Sequence, residues 1–305
     1  MPELPDILLY QHALEKRVCG VRLDRVRIRT PFVLRSVAPP IADAEGRTVL
    51  GVDRIGKRLV IALEGDRFLV LHLMIAGRLR WLARGGKPPG KIGLATFDFE
   101  SGTLALTEAG SKRRASLHFV AGRNALREFD RGGLDVLRAS LEQFAAVIRR
   151  ESHTLKRSLT DPTVLDGIGN AYSDEILHQA RLSPFLLTGR ITASEMERLY
   201  QAARRTLSYW IEKLEREAGG EWPEKVTAFR EGLAVHGRYG QPCPVCNTPV
   251  QRIRYADNET NYCPACQTEG RLLADRGLSR LLRDDWPRSL DEMEEHLRER
   301  HLGSG

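Results

Sequence analysis

A chain of 305 residues, 42% of them hydrophobic, exceeds what one small core needs and suits two domains with appendages. No run reaches the roughly 18 to 20 apolar residues that cross a bilayer, and no basic segment followed by an apolar one opens the chain, so a membrane protein is excluded and a cytoplasmic one expected. The net charge of +7 and pI near 9.3 point to a polyanion, nucleic acid first, because the positives cluster at Lys112-Arg113-Arg114, Arg149-Arg150, Lys156-Arg157 and Arg204-Arg205; a merely soluble basic protein is the alternative that composition leaves open.

The first residues, Pro2-Glu3-Leu4-Pro5-Asp6, set a proline beside a carboxylate. Met1 precedes a small residue, so removal of the initiator methionine would leave Pro2 as a secondary amine. An α-amine titrates at about 7.7 to 8.0, against about 10.4 for lysine. Near neutral pH it is therefore a usable Schiff-base nucleophile, with Glu3 next to it to carry protons. An ordinary disordered terminus is the competing reading. From Pro5 to Val18, Ile7, Leu8, Leu14 and Val18 recur at helical spacing and stop at Gly20, so a helix would hold the amine rigidly; Cys19, at its end, is expected to be a buried thiol.

From Val21 to about Val120 short β-like runs follow: 21–28, 48–53, 58–63, 68–74, 78–82, 94–99 and 103–107, punctuated by turns such as Gly85-Gly86-Lys87-Pro88-Pro89-Gly90. They predict an antiparallel sandwich. Gly132-Gly133 marks a boundary, after which 140–150, 154–160, 171–180 and 192–218 read as helices. Between the second and third, Asp166-Gly167-Ile168-Gly169-Asn170 runs into a helix start, where backbone N–H groups favour a phosphate and Asn170 would either cap the helix or donate its amide to that phosphate. A plain tight turn is the alternative.

Beyond Gly219-Gly220, Cys243-Pro-Val-Cys246 and Cys263-Pro-Ala-Cys266 stand sixteen residues apart, the spacing of a four-thiolate zinc site, with 248–262 forming a β-hairpin between the knuckles. Two disulfides or a redox pair compete with it. With all four positions filled, such a metal is structural. Residues 278–302 read as a charged amphipathic tail without an assigned role, and Gly303-Ser304-Gly305 as a possible appended scar.

Pro2-Glu3-Leu4-Pro5, then Gly167-Ile168-Gly169-Asn170-Ala171-Tyr172, then Val235-His236-Gly237-Arg238 ahead of the four cysteines, occur in the order in which the chain resembles the formamidopyrimidine-DNA glycosylase and endonuclease VIII family, over roughly residues 1–270. The resemblance implies an α+β multidomain fold: an N-terminal antiparallel β-sandwich with a leading helix (1–132), a helix-two-turn-helix DNA-binding domain (133–222), a base-reading loop and four-cysteine zinc-finger hairpin (223–270), and a C-terminal extension (271–305). It implies one structural Zn2+ per chain, held by Cys243, Cys246, Cys263 and Cys266, a monomer, and damaged double-stranded DNA as partner. Pro2 is implied as nucleophile, Glu3 as acid/base, and Lys57 as a phosphate contact whose charge keeps the Pro2 amine deprotonated. Asn170, Lys156 and His72 are implied as DNA backbone ligands, though His72 reads equally well as a core histidine.

The chain also departs from the family pattern. Ile75, with Met74 beside it, stands where a methionine fills the hole left by an everted base. The second such loop keeps Arg113 and Arg114 but lacks its Asp-Pro opening and its aromatic wedge. Asn258 replaces the arginine that clamps the lesion phosphate, and Asp6 replaces a glutamate. The expected activity is a bifunctional base-excision DNA glycosylase and AP lyase that nicks by β,δ-elimination. A non-excising protein that binds damaged or abasic DNA, or an AP lyase alone, are the alternatives. Residues 225–230 are a candidate base-reading loop.

Overall fold

The computed structural model describes residues 1–110, 112–227, 230–255, 258–274, 287–290 and 292–293. The tail expected at 278–302 and the last three residues lie outside them except for 287–290 and 292–293. The chain divides into two compact units: Met1–Gly133 with Leu207–Ala228, and Leu134–Thr206 with Phe229–Gly305.

The first unit opens with helix α1 (Leu4–Val18) and continues through β1 (Leu23–Ile28), β2 (Val49–Ile55), β3 (Arg58–Leu63), β4 (Arg67–His72), β5 (Gly77–Leu82), β6 (Gly93–Phe99), β7 (Gly102–Glu108) and β8 (Ser116–Ala121). These form two antiparallel sheets, ordered β1-β6-β7-β5 and β2-β3-β4-β8. Period-two alternation sends Leu59, Ile61, Leu69, Leu71, Leu117 and Phe119 into one shared core with Leu79, Phe97, Leu104 and Leu106. Full burial of each such side chain is worth about 1.5–3 kcal/mol. β8 is a strand that the sequence reading did not single out. Inner strands β6 and β7 are buried at every position, and Asp98 among them is satisfied by Arg27 Nη2 at 2.6 Å and Thr103 Oγ1 at 2.8 Å.

Helix α1 drops Ile7, Tyr10, Leu14 and Val18 into the same core and lies over β2. Its apolar face ends at Val18. Cys19 is the C-cap, where the backbone turns extended (ψ 130°), and its thiol is exposed, which corrects the expected buried one. Trp222 and Val226 return to this core, so residues 207–228 group with the first unit and not with the helices that precede them. Trp222 packs between Tyr10 and Trp81, each with ring centroids 5.7 Å away, and its Nε1 donates to Leu79 O at 3.3 Å.

The second unit holds α2 (Leu141–Arg149), α3 (Leu155–Thr160), α4 (Asn170–Ala180), the start of α5 (Ala193–Ala218), the hairpin β9 (Gln251–Tyr255) and β10 (Asn258–Tyr262), and α6 (Pro264–Thr268). Ser140 and Gln143 close a capping box on α2, and Thr154 caps α3. Helix α4 is buried on nearly all sides, so every polar group along it needs a partner inside the protein. Among the described residues no helix is long and apolar enough to cross a membrane.

Candidate functional site

Pro2 is buried and Glu3, 2% exposed, is the N-cap of α1. Asp6 Oδ2 accepts from Glu3 N at 2.8 Å while the Glu3 carboxylate accepts from Asp6 N, a reciprocal box in which aspartate performs the reach-back usual for glutamate. Pro5, in the first turn, removes a donor that the helix would not have used. The chain start is therefore fixed by the fold.

Burial holds the Met1 α-amine below its ordinary value; Glu3 and Asp6 pull it up, and Arg78 and Lys57 push it down. The positive end of the α1 dipole adds to the second group. While Met1 is attached, the Pro2 nitrogen belongs to a peptide bond. Lys57 sits in the β2–β3 turn behind Gly56, whose φ of +60° is one that glycine adopts without strain.

His72 ends β4 opposite Arg58 on one side and Ser116 on the other. Burial, then the charges of Arg58 and Lys57 and the neighbouring His118, hold it down at about 4, so at physiological pH it is a neutral hydrogen-bonding group. The β4–β5 loop follows. Gly77 N donates to Leu73 O at 2.9 Å, and a Cβ at Gly77 would stand 2.2 Å from that oxygen, so only glycine closes the loop this tightly. Met74 takes a left-handed φ of +53°, and Ile75 is presented at the tip with 55% exposure.

The other loop, between β7 and β8, is tied down by a carboxylate that the sequence reading passed over. Glu108 is buried and accepts from Arg114 N at 3.0 and 2.9 Å and from Ala115 N at 3.0 Å. Arg113 and Arg114 are thereby exposed on a tethered loop, with Arg113 Nη2 bonded to Lys91 O; Ser111 lies outside the described residues.

In the second unit Gly167 takes φ +79°, and Gly169, not Asn170, is the N-cap of α4, which corrects the capping alternative. Asn170 instead donates Nδ2 to Glu259 O at 2.8 Å. Lys156 is buried, and its ammonium meets Asn170 O at 2.8 Å, Ser173 Oγ at 2.8 Å and Asp174 Oδ1 at 2.5 Å. With three donors on three internal acceptors, it positions Asn170 and does not itself reach out as a ligand. The side chain of Asn258 lies outside the described residues.

The motif Val235-His236-Gly237-Arg238 acquires a physical role. Asp174 Oδ2 meets His236 Nδ1 at 2.8 Å and Asn261 Nδ2 at 3.2 Å, while the Glu175 carboxylate accepts from the N–H groups of Ala234, Val235 and His236 at 2.7, 2.9 and 2.9 Å. Helix α4 is thus bolted to the segment that enters the cysteine hairpin. The signal available in the sequence was a pair of adjacent carboxylates, Asp174-Glu175, in the helix that follows the glycine-rich turn.

The sulfurs of Cys243, Cys246, Cys263 and Cys266 lie within 4.8 Å of one another. Four thiolates at about 2.3 Å from one tetrahedral zinc stand about 3.8 Å apart, and the recorded separations of 4.0, 3.3 and 3.5 Å fit that geometry. The site is one structural zinc centre. His178 on α4 places Nε2 3.2 Å from Cys243 Sγ, an outer-shell contact that orients the ligand. His178→Phe is expected to speed zinc transfer to a chromogenic chelator by about 10- to 100-fold; an unchanged rate would mean that the contact does not restrain the sulfur.

Residues 1–120 match the formamidopyrimidine-DNA glycosylase N-terminal domain, 134–218 its H2TH domain, and 240–268 the zinc finger found in FPG and IleRS. The chain is 35% identical over 279 residues to the formamidopyrimidine-DNA glycosylase of Thermus thermophilus, covering 88% of this chain and all of that one. It is 41% identical over 151 residues to a formamidopyrimidine-DNA glycosylase-like protein of Mycobacterium tuberculosis, covering 50% of this chain and 94% of that one. The Lactococcus lactis Fpg in complex with DNA containing an abasic site superposes with a TM-score of 0.77 at 25% identity, over 87% of this chain and 99% of that one.

Proposed function

This chain belongs to the formamidopyrimidine-DNA glycosylase family, and from that membership we propose how its own residues carry out base excision and strand incision on damaged duplex DNA. The observation that carries the reading is the buried Pro2-Glu3 pair at the head of α1, flanked by the charges of Lys57 and Arg78. Once Met1 is removed, the Pro2 lone pair forms a bond to the deoxyribose carbon that bears the damaged base, as the glycosidic bond breaks and the base leaves with a proton. Glu3 protonates the ring oxygen, opening the sugar to an iminium. A proton then leaves the adjacent sugar carbon and the 3′ phosphate is expelled; repetition on the other side completes β,δ-elimination, and water releases the sugar fragment from Pro2.

Lys57 supports the unprotonated amine and contacts the phosphate near the lesion. His72, Met74, Ile75, Arg113 and Arg114 serve the first unit's DNA surface, with Ile75 entering the hole left by the flipped nucleotide. Asn170 and Asn258 contact the backbone from the second unit, with Lys156 holding Asn170. We assign the chemistry to residues 1–132 and backbone binding to 133–222, apart from the 207–222 stretch that groups with the first unit, with base reading and the finger in 223–270. Zinc, when bound, closes the β9–β10 hairpin and contributes no step, since its four positions are filled.

The test is borohydride trapping on duplexes carrying an abasic site or an oxidised base, with N-terminal sequencing of the protein. A covalent adduct is expected for the chain that begins at Pro2 and not for Pro2→Gly. Tight DNA binding without an adduct from a correctly processed chain would sink the lyase mechanism and favour a recognition protein.

A further inference from the structure

Arg78 is the second residue of β5, immediately beyond the loop that carries Ile75. Its Nη1 donates to Ile75 O at 3.2 Å and to Gly77 O at 2.6 Å, and its Nε donates to Val226 O at 2.5 Å. One rigid, planar group therefore holds carbonyls that are 151 positions apart in the chain, those of residues 75 and 226. The Val226 side of this link is anchored in the core of the first unit, and so is the strand that carries Arg78. Val226 and Trp222 are buried there, Trp222 Nε1 donates to Leu79 O, and Thr107 Oγ1 donates to Arg78 O at 3.2 Å.

We propose that Arg78 is a positioning residue for excision: its guanidinium locks the Ile75 loop to Val226, at the start of the candidate base-reading loop 225–230. The inference rests on the reading of Pro2 as nucleophile and of Ile75 as the side chain that enters the void. Its physical content is coupling. When a base is everted, the loop that replaces it and the segment that leads to its pocket share one hydrogen-bonding group, so neither shifts without the other. The same positive charge disfavours protonation of the terminal amine, alongside Lys57 and against Glu3 and Asp6. Seating of the loop and readiness of the nucleophile thus depend on one side chain.

Two variants separate the two roles. Arg78→Lys keeps the charge and loses the fork; Arg78→Gln loses the charge as well. Single-turnover excision of an oxidised base, borohydride-trapped adduct formation on abasic DNA from pH 5 to 9, and thermal unfolding are measured for each variant and for the parent protein. For Arg78→Lys, excision is expected to fall by about tenfold or more, the rate equivalent of one charge-assisted hydrogen bond, while the pH profile of adduct formation on abasic DNA stays in place. For Arg78→Gln, the acid limb of that profile is also expected to move to higher pH, because an amine without its cationic neighbour holds its proton more tightly.

Parent-like excision and parent-like profiles in both variants would overturn the proposal. So would equal losses in both activities that simply track a lowered unfolding temperature. A parent protein, correctly processed, that forms no adduct would instead overturn the Pro2 reading, and this inference with it.

Discussion

Glu3→Gln is expected to lower excision of an oxidised base by about 100- to 10,000-fold, the range that a positioned general acid or base supplies. The amide keeps an oxygen that accepts from Asp6 N, so the box that starts α1 survives and unfolding should stay within about 1 kcal/mol of the parent protein. Processing of a preformed abasic site should fall less, because its sugar already opens to an aldehyde without help in expelling a base. Single-turnover rates on the two substrates, measured beside thermal unfolding, give the comparison. Equal losses on both substrates, or a stability loss of several kcal/mol, would assign Glu3 to the fold and leave the proton transfers to another group.

The second large effect is structural. Glu175→Ala would strip one acceptor from three backbone donors, those of Ala234, Val235 and His236, of which Val235 and His236 are buried. Each orphaned buried group costs about 1–3 kcal/mol. Allowing for relaxation, the expected loss is about 3–5 kcal/mol, a large part of the 5–15 kcal/mol that ordinary domains have. Burial raises the Glu175 carboxyl even though the three amides and their dipoles pull it down, so those amides are what makes a carboxylate tolerable there. Because they lead into the cysteine hairpin, zinc retention and affinity for damaged duplex should fall together with stability in urea titration. A variant as stable as the parent, with full zinc content, would show that the segment 234–236 finds other acceptors.

Much of this architecture was legible in the sequence because its signals are local. Short β-branched and apolar runs such as Arg58 to Leu63, helical spacing from Ile7 to Val18, and paired cysteines each announce themselves within a few residues. The supporting partners were not legible, since they join distant positions. Glu108 serves a loop that begins beyond it, Glu175 serves residues 59 to 61 positions away, and Arg78 meets Val226 from a strand where its alternation reads as an ordinary solvent-facing arginine. Lys156 misled in the opposite direction. The resemblance implied an outward backbone ligand, whereas burial against Asp174 turned the ammonium inward. Cys19 failed at a boundary, where one residue decides whether a side chain follows the helix face or leaves it.

The return of Trp222 and Val226 to the core of the first unit bears on how this protein can be cut and recombined. The first unit is discontinuous in the gene: two of its interior side chains are encoded downstream of the entire 134–206 stretch. A fragment ending at Gly133 would leave Tyr10 and Trp81 without the indole packed between them, and would leave Arg78 Nε without its carbonyl. Exchange of N-terminal domains between relatives therefore has to carry residues 207–227 along with residues 1–133. Point substitution leaves both segments in one chain, whereas shuffling at the Gly132-Gly133 boundary would part them every time.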